Sequence, residues 1–377
     1  MNGGADFTTS PWIVLTGAGA SVPLGKDTTS QFVTRCLEKT GSRYLLEQVL
    51  AATKTRTALP EVDIEMVLDY LVELTSAYDI LKSDKQLGPI VSQVPKASDL
   101  SLAGRIGTPL AESGGVRLAG LDGGILDFLN SPDYLIGQRK ELREELLGFI
   151  VDHYCEVDGE AALAFYNPIF KTQANQPSIP IFTLNYDDAI EAAVDASNDL
   201  ELVDGFEPGK SRPKWLQANF ELLGRTYTDK RRIFLFKLHG STTWGRHKKT
   251  RDIIRLPASL QKDPGAYEHV IMYPSQTKLG LEGEPFATAY TYLAECLENT
   301  RCCLVIGTSF RDREINQVFQ NALRHSPKLQ LVVVGPDVDE SQLAKTLRCE
   351  KTRIQPILGE FGDPAVGDNM LDTIQRF

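Results

Sequence analysis

Three segments far apart in the chain share one design, an apolar, β-branched run that stops abruptly in small or polar residues. They are WIVLTGAGAS around residue 17, IFTLNYDD around residue 185 and FLFKLHGS around residue 239. A strand buried on both faces of a parallel sheet has this appearance, because helices cover it on either side and leave no face for polar residues. In open α/β sheets, ligands bind in the crevice beyond the carboxyl ends of such strands. A glycine turn, an Asn/Asp pair and a histidine are therefore expected to meet at one sheet edge.

The rest of the chain supports that architecture. Strand-like runs at 12–16, 179–184, 233–238, 270–273, 302–306 and 329–334 accompany helix-like runs at 188–196, 284–298 and 313–323. Alternating units of this length predict an α/β fold with a doubly wound parallel sheet. A helix over about 28–39 follows the first strand. Residues 40–175 are poor in strand signals. One amphipathic helix begins near Glu61 and carries Ile64, Val67, Leu68, Leu71 and Leu74 on one face. A charged helix over about 138–154 has Leu142, Leu146, Phe149 and Ile150 as its apolar stripe. Between them, 104–124 holds seven glycines and few charges, and reads as a loop, a lid or a poorly ordered segment. The expected division is a sheet domain of 1–40 with 176–377, and a mainly helical insertion, 41–175.

Charge narrows the function classes. A formal net charge of −10 and a pI near 5.2 supply no dense basic face, which argues against direct nucleic-acid binding. A local basic pocket for a phosphate remains compatible with it. The six cysteines, Cys36, Cys155, Cys296, Cys302, Cys303 and Cys349, form no CxxC pair and none stands at metal-ligand spacing with the histidines. They read as reduced thiols, and no metal site is expected. With no signal-peptide pattern and no run of membrane length, a cytoplasmic protein is expected, with no direct membrane contact.

Each strand-end motif has two readings. In Gly17-Ala18-Gly19-Ala20-Ser21 the glycines allow a tight turn and close approach of a pyrophosphate, with free amides at a helix start to bind its charge. Val22 stands where the third glycine of GxGxxG would be, and Asp27 where a P-loop needs Ser or Thr, so a purely structural turn is the alternative. Asn185 and Asp187, either side of Tyr186, could hold ribose hydroxyls or a water; equally, Asn185 could stabilise the turn and Asp187 or Asp188 cap the next helix. His239 has the intrinsic pKa for proton transfer near neutrality, and Gly240 would let a substrate approach the backbone, though lone histidines are often structural. Gly307-Thr308-Ser309 offers a hydroxyl to a phosphate or ribose, while Ser309 or Asp312 could cap the helix that follows.

Taken together and in order, GAGAS, TLNYD, KLHGS and GTS resemble the sirtuin family, whose fold is a Rossmann-like NAD-binding domain with a smaller inserted module. IEMVLDYL at 64–71, KLHGSTTW at 237–244, YPSQTK at 273–278 and VIGTSFRDREIN at 305–316 look more specifically like the bacterial sirtuin-like NADases of anti-phage defence. The resemblance covers about 12–37 and 180–336. It implies that Gly17, Ala18, Gly19 and Ser21 contact the NAD pyrophosphate and that Asn185 and Asp187 address the nicotinamide ribose and attacking water. It further implies His239 as the catalytic histidine, Gly307, Thr308 and Ser309 on the adenosine side, and Asp337 at a further ribose-contacting loop.

The chain departs from deacetylating sirtuins in lacking their four-cysteine zinc ribbon and the GIPDFR-like stretch after the glycine turn; Val22-Pro-Leu-Gly-Lys-Asp-Thr-Thr stands there instead. The implied activity is therefore hydrolysis of NAD to nicotinamide and ADP-ribose, with NAD as substrate and no bound cofactor. The resemblance places such a chain as an NAD-depleting, abortive-infection effector, as a homo-oligomer and as the partner of a HerA-type ATPase. An ADP-ribosyltransferase, or a non-catalytic module that binds NAD or ADP-ribose in an assembly, are the other readings of the same site.

Overall fold

The computed structural model describes residues 8, 10–57, 61–83, 132–171, 178–226, 228–261, 265–272 and 283–377. The glycine-rich segment 104–124 and YPSQTK at 273–278 lie outside the described residues. The strands are β1 (Trp12–Thr16), β2 (Ser178–Thr183), β3 (Leu200–Val203), β4 (Arg231–Lys237), β5 (Gly240–His247), β6 (Ile253–Arg255), β7 (Tyr267–Ile271), β8 (Cys302–Ile306), β9 (Gln330–Gly335) and β10 (Ile354–Leu358). The helices are α1 (Thr29–Lys39), α2 (Arg43–Thr57), α3 (Ile64–Ser83), α4 (Pro132–Tyr154), α5 (Gly159–Lys171), α6 (Ala189–Asp195), α7 (Ala218–Arg225), α8 (Ala258–Gln261), α9 (Phe286–Asn299), α10 (Arg313–His325), α11 (Glu340–Leu347) and α12 (Pro364–Ile374).

Seven strands form one sheet in the order β10-β9-β8-β1-β2-β4-β3, with every pairing parallel. β1, β2 and β8 are buried at every residue, which is why their sequences are continuous apolar runs. Alternate side chains serve opposite faces. Ile13, Leu15, Phe182, Phe236 and Val305 pack with Leu293 of α9 and Phe319 of α10. Trp12, Val14, Ile181, Leu235 and Leu304 pack with Tyr166 of α5, Ile190 of α6 and Met370 of α12. The sheet is doubly wound, as the sequence predicts. The order reverses at β1, with β2 on one side and β8 on the other.

A second sheet was not foreseen. β5 pairs antiparallel with β6 and β7, in the order β6-β5-β7. Val270 and Ile271, of the run expected at 270–273, belong here and not to the parallel sheet. α1, Thr29–Lys39, agrees with the helix expected over about 28–39; two 3-10 turns, Ala18–Ala20 and Val22–Leu24, lie between β1 and α1.

The chain divides into two compact units, Met1–Thr28 with Ile150–Phe377, and Thr29–Phe149. The expected insertion, 41–175, overlaps the second unit without coinciding with it: α1 joins the helical unit, and α5 joins the sheet. Within the helical unit, Phe32, Leu46, Ile64, Val67, Leu68, Leu71, Leu142 and Leu146 are buried. Glu145 ties the start of α2 to α4 by accepting from Thr40 Oγ1 at 2.9 Å and from the Gly41 amide at 3.0 Å. Among the described residues, no helix is long and apolar enough to cross a membrane.

Candidate active site

The parallel strands end flush. Thr16 is in register with Thr183 and with Ile306, Thr183 with Lys237, and Ile306 with Val334. The ladder runs one bond further at each strand end: Gly17 N donates to Ile306 O at 2.8 Å, Leu184 N to Thr16 O at 2.9 Å and Leu238 N to Thr183 O at 2.8 Å. The residues that follow, at 17–21, 185–187, 239 and 307–309, are thereby brought to one edge of the sheet.

At the reversal point the two glycine turns interlock. Gly19 N donates to Gly307 O at 2.9 Å. A Cβ on Gly17 would lie 2.8 Å from Gly307 O, and one on Gly19 would lie 2.8 Å from Gly307 Cα. Gly307 has φ +65, and a Cβ there would lie 2.2 Å from Ala20 N. The space these glycines leave is filled by the opposite turn, and not held open for a pyrophosphate. The amides of Gly17, Gly19, Ala20 and Ser21 are all committed to carbonyls of Ile306, Gly307, Gly17 and Ala18. The expected cradle of free amides at a helix start is therefore corrected: the Gly17 and Gly19 amides bond to the end of β8 and its turn, and those of Ala20 and Ser21 are spent within the 3-10 turn. Ala18 and Gly19 are half-buried, and they form the outward surface of this turn.

Ser21 and Asn185 meet directly. Both are buried, and Asn185 Nδ2 donates to Ser21 Oγ at 2.9 Å, which fixes the amide's rotamer. Asp187 is buried beside them; its Oδ1 accepts from the Ala189 amide at 3.1 Å, so it also shapes the start of α6, as the structural reading allowed. Asp188 instead accepts from Val157 N at 3.1 Å. Burial pushes the Asp187 carboxyl up, and the nearby Lys237 ammonium and a hydrogen bond from Ser21 partly offset this. Lys237, itself buried, pairs with Glu191 at 3.1 Å and donates to the main-chain carbonyl of Asp187.

His239 sits between two sheets, after the last residue of β4 and before the first of β5. It is 2% exposed, and its Nε2 lies 2.9 Å from Asp312 Oδ2. The other oxygen of Asp312 accepts from the Ile315 amide at 2.9 Å and so caps α10, the role weighed for it against Ser309. Burial alone would raise the Asp312 carboxyl; its hydrogen bond to His239 and the charge interaction with that ring outweigh this and hold it below the ordinary carboxylate value. A carboxylate that grips an imidazole fixes the ring and stabilises its protonated form, which suits it to take a proton during a reaction.

Tyr186 joins the two groups. Its ring centroid is 6.3 Å from that of His239, its carbonyl accepts from Thr242 N at 3.0 Å, and its hydroxyl donates to Met272 O at 3.1 Å. Met272 N in turn donates to His239 O at 2.7 Å. Gly240 has φ +82, and a Cβ there would lie 2.0 Å from Val270 O. Its freedom is used for the β5–β7 pairing, which corrects the expectation that it clears a path for substrate.

The remaining predicted residues fall on the same edge with different exposure. Thr308 is half-buried, and Ser309 is exposed. Asp337 is also exposed and follows β9 by two residues. Phe310 between them adopts φ 52, unusual for a bulky residue, and is held by Asn316 Nδ2 donating to its carbonyl at 2.8 Å and by an edge contact with Phe319. Lys26, which a phosphate loop would aim at its ligand, instead donates to the carbonyls of His153 at 2.8 Å and Cys155 at 3.0 Å at the end of α4.

Sequence reasoning passed over Lys237, Glu191 and the bond from Asp312 to His239. The signal for Lys237 was present: a lysine inside the apolar run FLFKL must be paired if that run is buried. No group of His, Cys, Asp and Glu that could hold a metal occurs among the described residues.

The family model for the SIR2-like domain matches residues 180–357. The match is to a SIR2-like domain. It runs from β2 to β10 and takes in Asn185, Asp187, His239, Gly307 to Ser309, Asp312 and Asp337; the turn at 17–21 lies before it. No curated protein matches the chain. Among solved structures, a Sir2 homologue in complex with NAD is similar, with a TM-score of 0.45 and 11% identity over 97% of this chain and 89% of that chain. A mutant Sir2 homologue with 2′-O-acetyl ADP-ribose gives a TM-score of 0.42 and 11% identity over 99% of this chain and 95% of that one.

Proposed function

We propose that this SIR2-like chain is an NAD glycohydrolase that splits NAD into nicotinamide and ADP-ribose. The observation that carries the reading is the pairing of His239 with Asp312 on the sheet edge where Asn185 is locked onto Ser21. Water attacks C1′ of the nicotinamide ribose and the N-glycosidic bond breaks. Its electron pair goes to the ring nitrogen of nicotinamide, which leaves as a neutral molecule, so the leaving group needs no acid. His239, steadied by Asp312, takes the proton from the attacking water or from a ribose hydroxyl. Asn185 orients ribose and water, and the Asp187 carboxylate supports the positive charge that builds at the ribosyl centre. Gly17, Ala18, Gly19 and Ser21 border the pyrophosphate, chiefly through the outward surface of Ala18 and Gly19. Gly307, Thr308 and Ser309 line the adenosine side, with Asp337 at its rim.

The proposed setting is the cytoplasm of a bacterium, where a homo-oligomer depletes NAD in an abortive-infection response under control of a HerA-type ATPase. Its support is the likeness of KLHGSTTW and VIGTSFRDREIN to anti-phage NADases. Co-purification with a co-expressed HerA-type neighbour checks the pairing, and an empty pull-down counts against it.

The deciding experiment resolves the products of NAD by chromatography for wild type, His239→Ala and Asn185→Ala. Wild type should release nicotinamide and free ADP-ribose, and each variant should lose about 100-fold or more of that rate. ADP-ribose attached to a macromolecule would make the chain a transferase. Intact, bound NAD under every condition would make it a binding module.

A further inference from the structure

Lys237 closes β4 in register with Thr183, itself in register with Thr16 of β1. Along that rung β1 and β2 carry small hydroxyls, and β4 carries a cation, at 2% exposure. A buried ammonium forfeits its hydration at a cost unless it is paired. Glu191 of α6 supplies the counter-charge, 3.1 Å away. If the pair served only to pack α6 on β4, two apolar side chains would do so at no desolvation cost.

What an apolar pair could not do is hold the main-chain carbonyl of Asp187, to which Lys237 Nζ donates. That carbonyl belongs to the residue whose carboxyl stands beside Ser21 and Asn185. We infer that Lys237 is a positioning residue of this site: anchored by Glu191, it fixes the Asp187 main chain and sets a positive charge beside the Asp187 carboxyl, where charge develops at the ribosyl centre. The inference rests on the proposed role of Asp187 in cleaving NAD.

The charges around Asp187 agree with it. Lys237 faces it from β4, Glu191 from α6, Asp188 from the residue before α6, and the buried Tyr166 hydroxyl from α5. Burial raises the Asp187 carboxyl, Glu191 and Asp188 are of like sign, and Lys237 is the cation among them.

Lys237→Met alone strands Glu191 without its counter-ion and is expected to fold poorly. The test therefore uses Lys237→Met/Glu191→Met, which removes both charges at similar volume, and Glu191→Gln, which keeps the ammonium. Carboxyl carbon NMR follows the Asp187 titration, with Asp187→Asn identifying its signal. The midpoint should rise by about one pH unit or more in the double variant and fall in Glu191→Gln, opposite shifts that a packing role would not produce. The folded double variant should also lose about tenfold or more in kcat with KM within about twofold of wild type. An unmoved Asp187 midpoint, or wild-type kcat in the folded double variant, overturns the inference. If wild type consumes no NAD, the glycohydrolase reading falls, and the titration still decides the place of Lys237.

Discussion

At the scale of single residues, Asp312 performs two tasks with its two oxygens. One oxygen caps α10, and the other holds His239. Asp312→Asn separates them, because asparagine caps a helix about as well as aspartate but brings no charge to the imidazole. The expected outcome is a fall in kcat of about 10- to 100-fold with helix stability nearly unchanged. Steady-state kinetics beside thermal unfolding checks it; equal turnover in both proteins would remove Asp312 from the mechanism. A helix cap is written locally, three residues from the amide it serves, so the sequence shows that task plainly. The grip on His239 joins positions 312 and 239, and only the folded chain brings them together. The place of His239 and Asn185 at the sheet edge was legible because each follows an unmistakable strand by two residues. Lys237 was legible only as an anomaly, since lysines ordinarily sit in water.

At the scale of elements, the two glycine turns are one part. Gly307→Ala must place a methyl group 2.2 Å from Ala20 N in a left-handed conformation. It should cost more than about 2 kcal/mol, because neither backbone can retreat from the sheet. Gly25 is the control: it has φ +77 but nothing within 4 Å of a Cβ, so Gly25→Ala should cost only about 1 kcal/mol. Denaturant midpoints of the two variants test this, and equal losses would mean that the turns are not interlocked. β1 and β8 were readable to the residue because both are buried along their whole length. β5 was not readable, because Gly-Ser-Thr-Thr-Trp-Gly-Arg-His mixes small, polar and aromatic residues without a clear alternation. α5 escaped notice for a similar reason, with Pro168 inside its last turns.

For the whole molecule, buried carboxyls govern the response to acid. Burial raises Asp187, Asp188 and Asp204 above their ordinary value of 3.8. A raised carboxyl binds its proton more tightly in the folded state than in the unfolded one, so stability grows as pH falls through the raised value toward 3.8. Asp312 works the other way: its stabilising contribution is present above 3.8 and is lost as pH falls through its depressed value. The melting temperature should therefore climb as pH falls toward 3.8, and drop again at more acid pH as Asp312 takes up its proton. A melting temperature that falls steadily from pH 8 downward would mean that these carboxyls are ionised at no cost.

The doubly wound sheet was legible at this scale, while the boundaries of the inserted unit were not, since helices on either side of a boundary look alike in sequence. The end of α4 and the chain leaving the glycine turn are sewn together by Lys26, by the Asp27 amide donating to His153 Nε2 at 2.9 Å, and by Tyr154 Oη donating to the Asp27 carbonyl at 2.8 Å. This seam closes the sheet unit at the two points where the chain departs at Thr28 and returns at Ile150. The host thus keeps its own doorway shut, with bonds drawn from its own residues on both sides of the threshold.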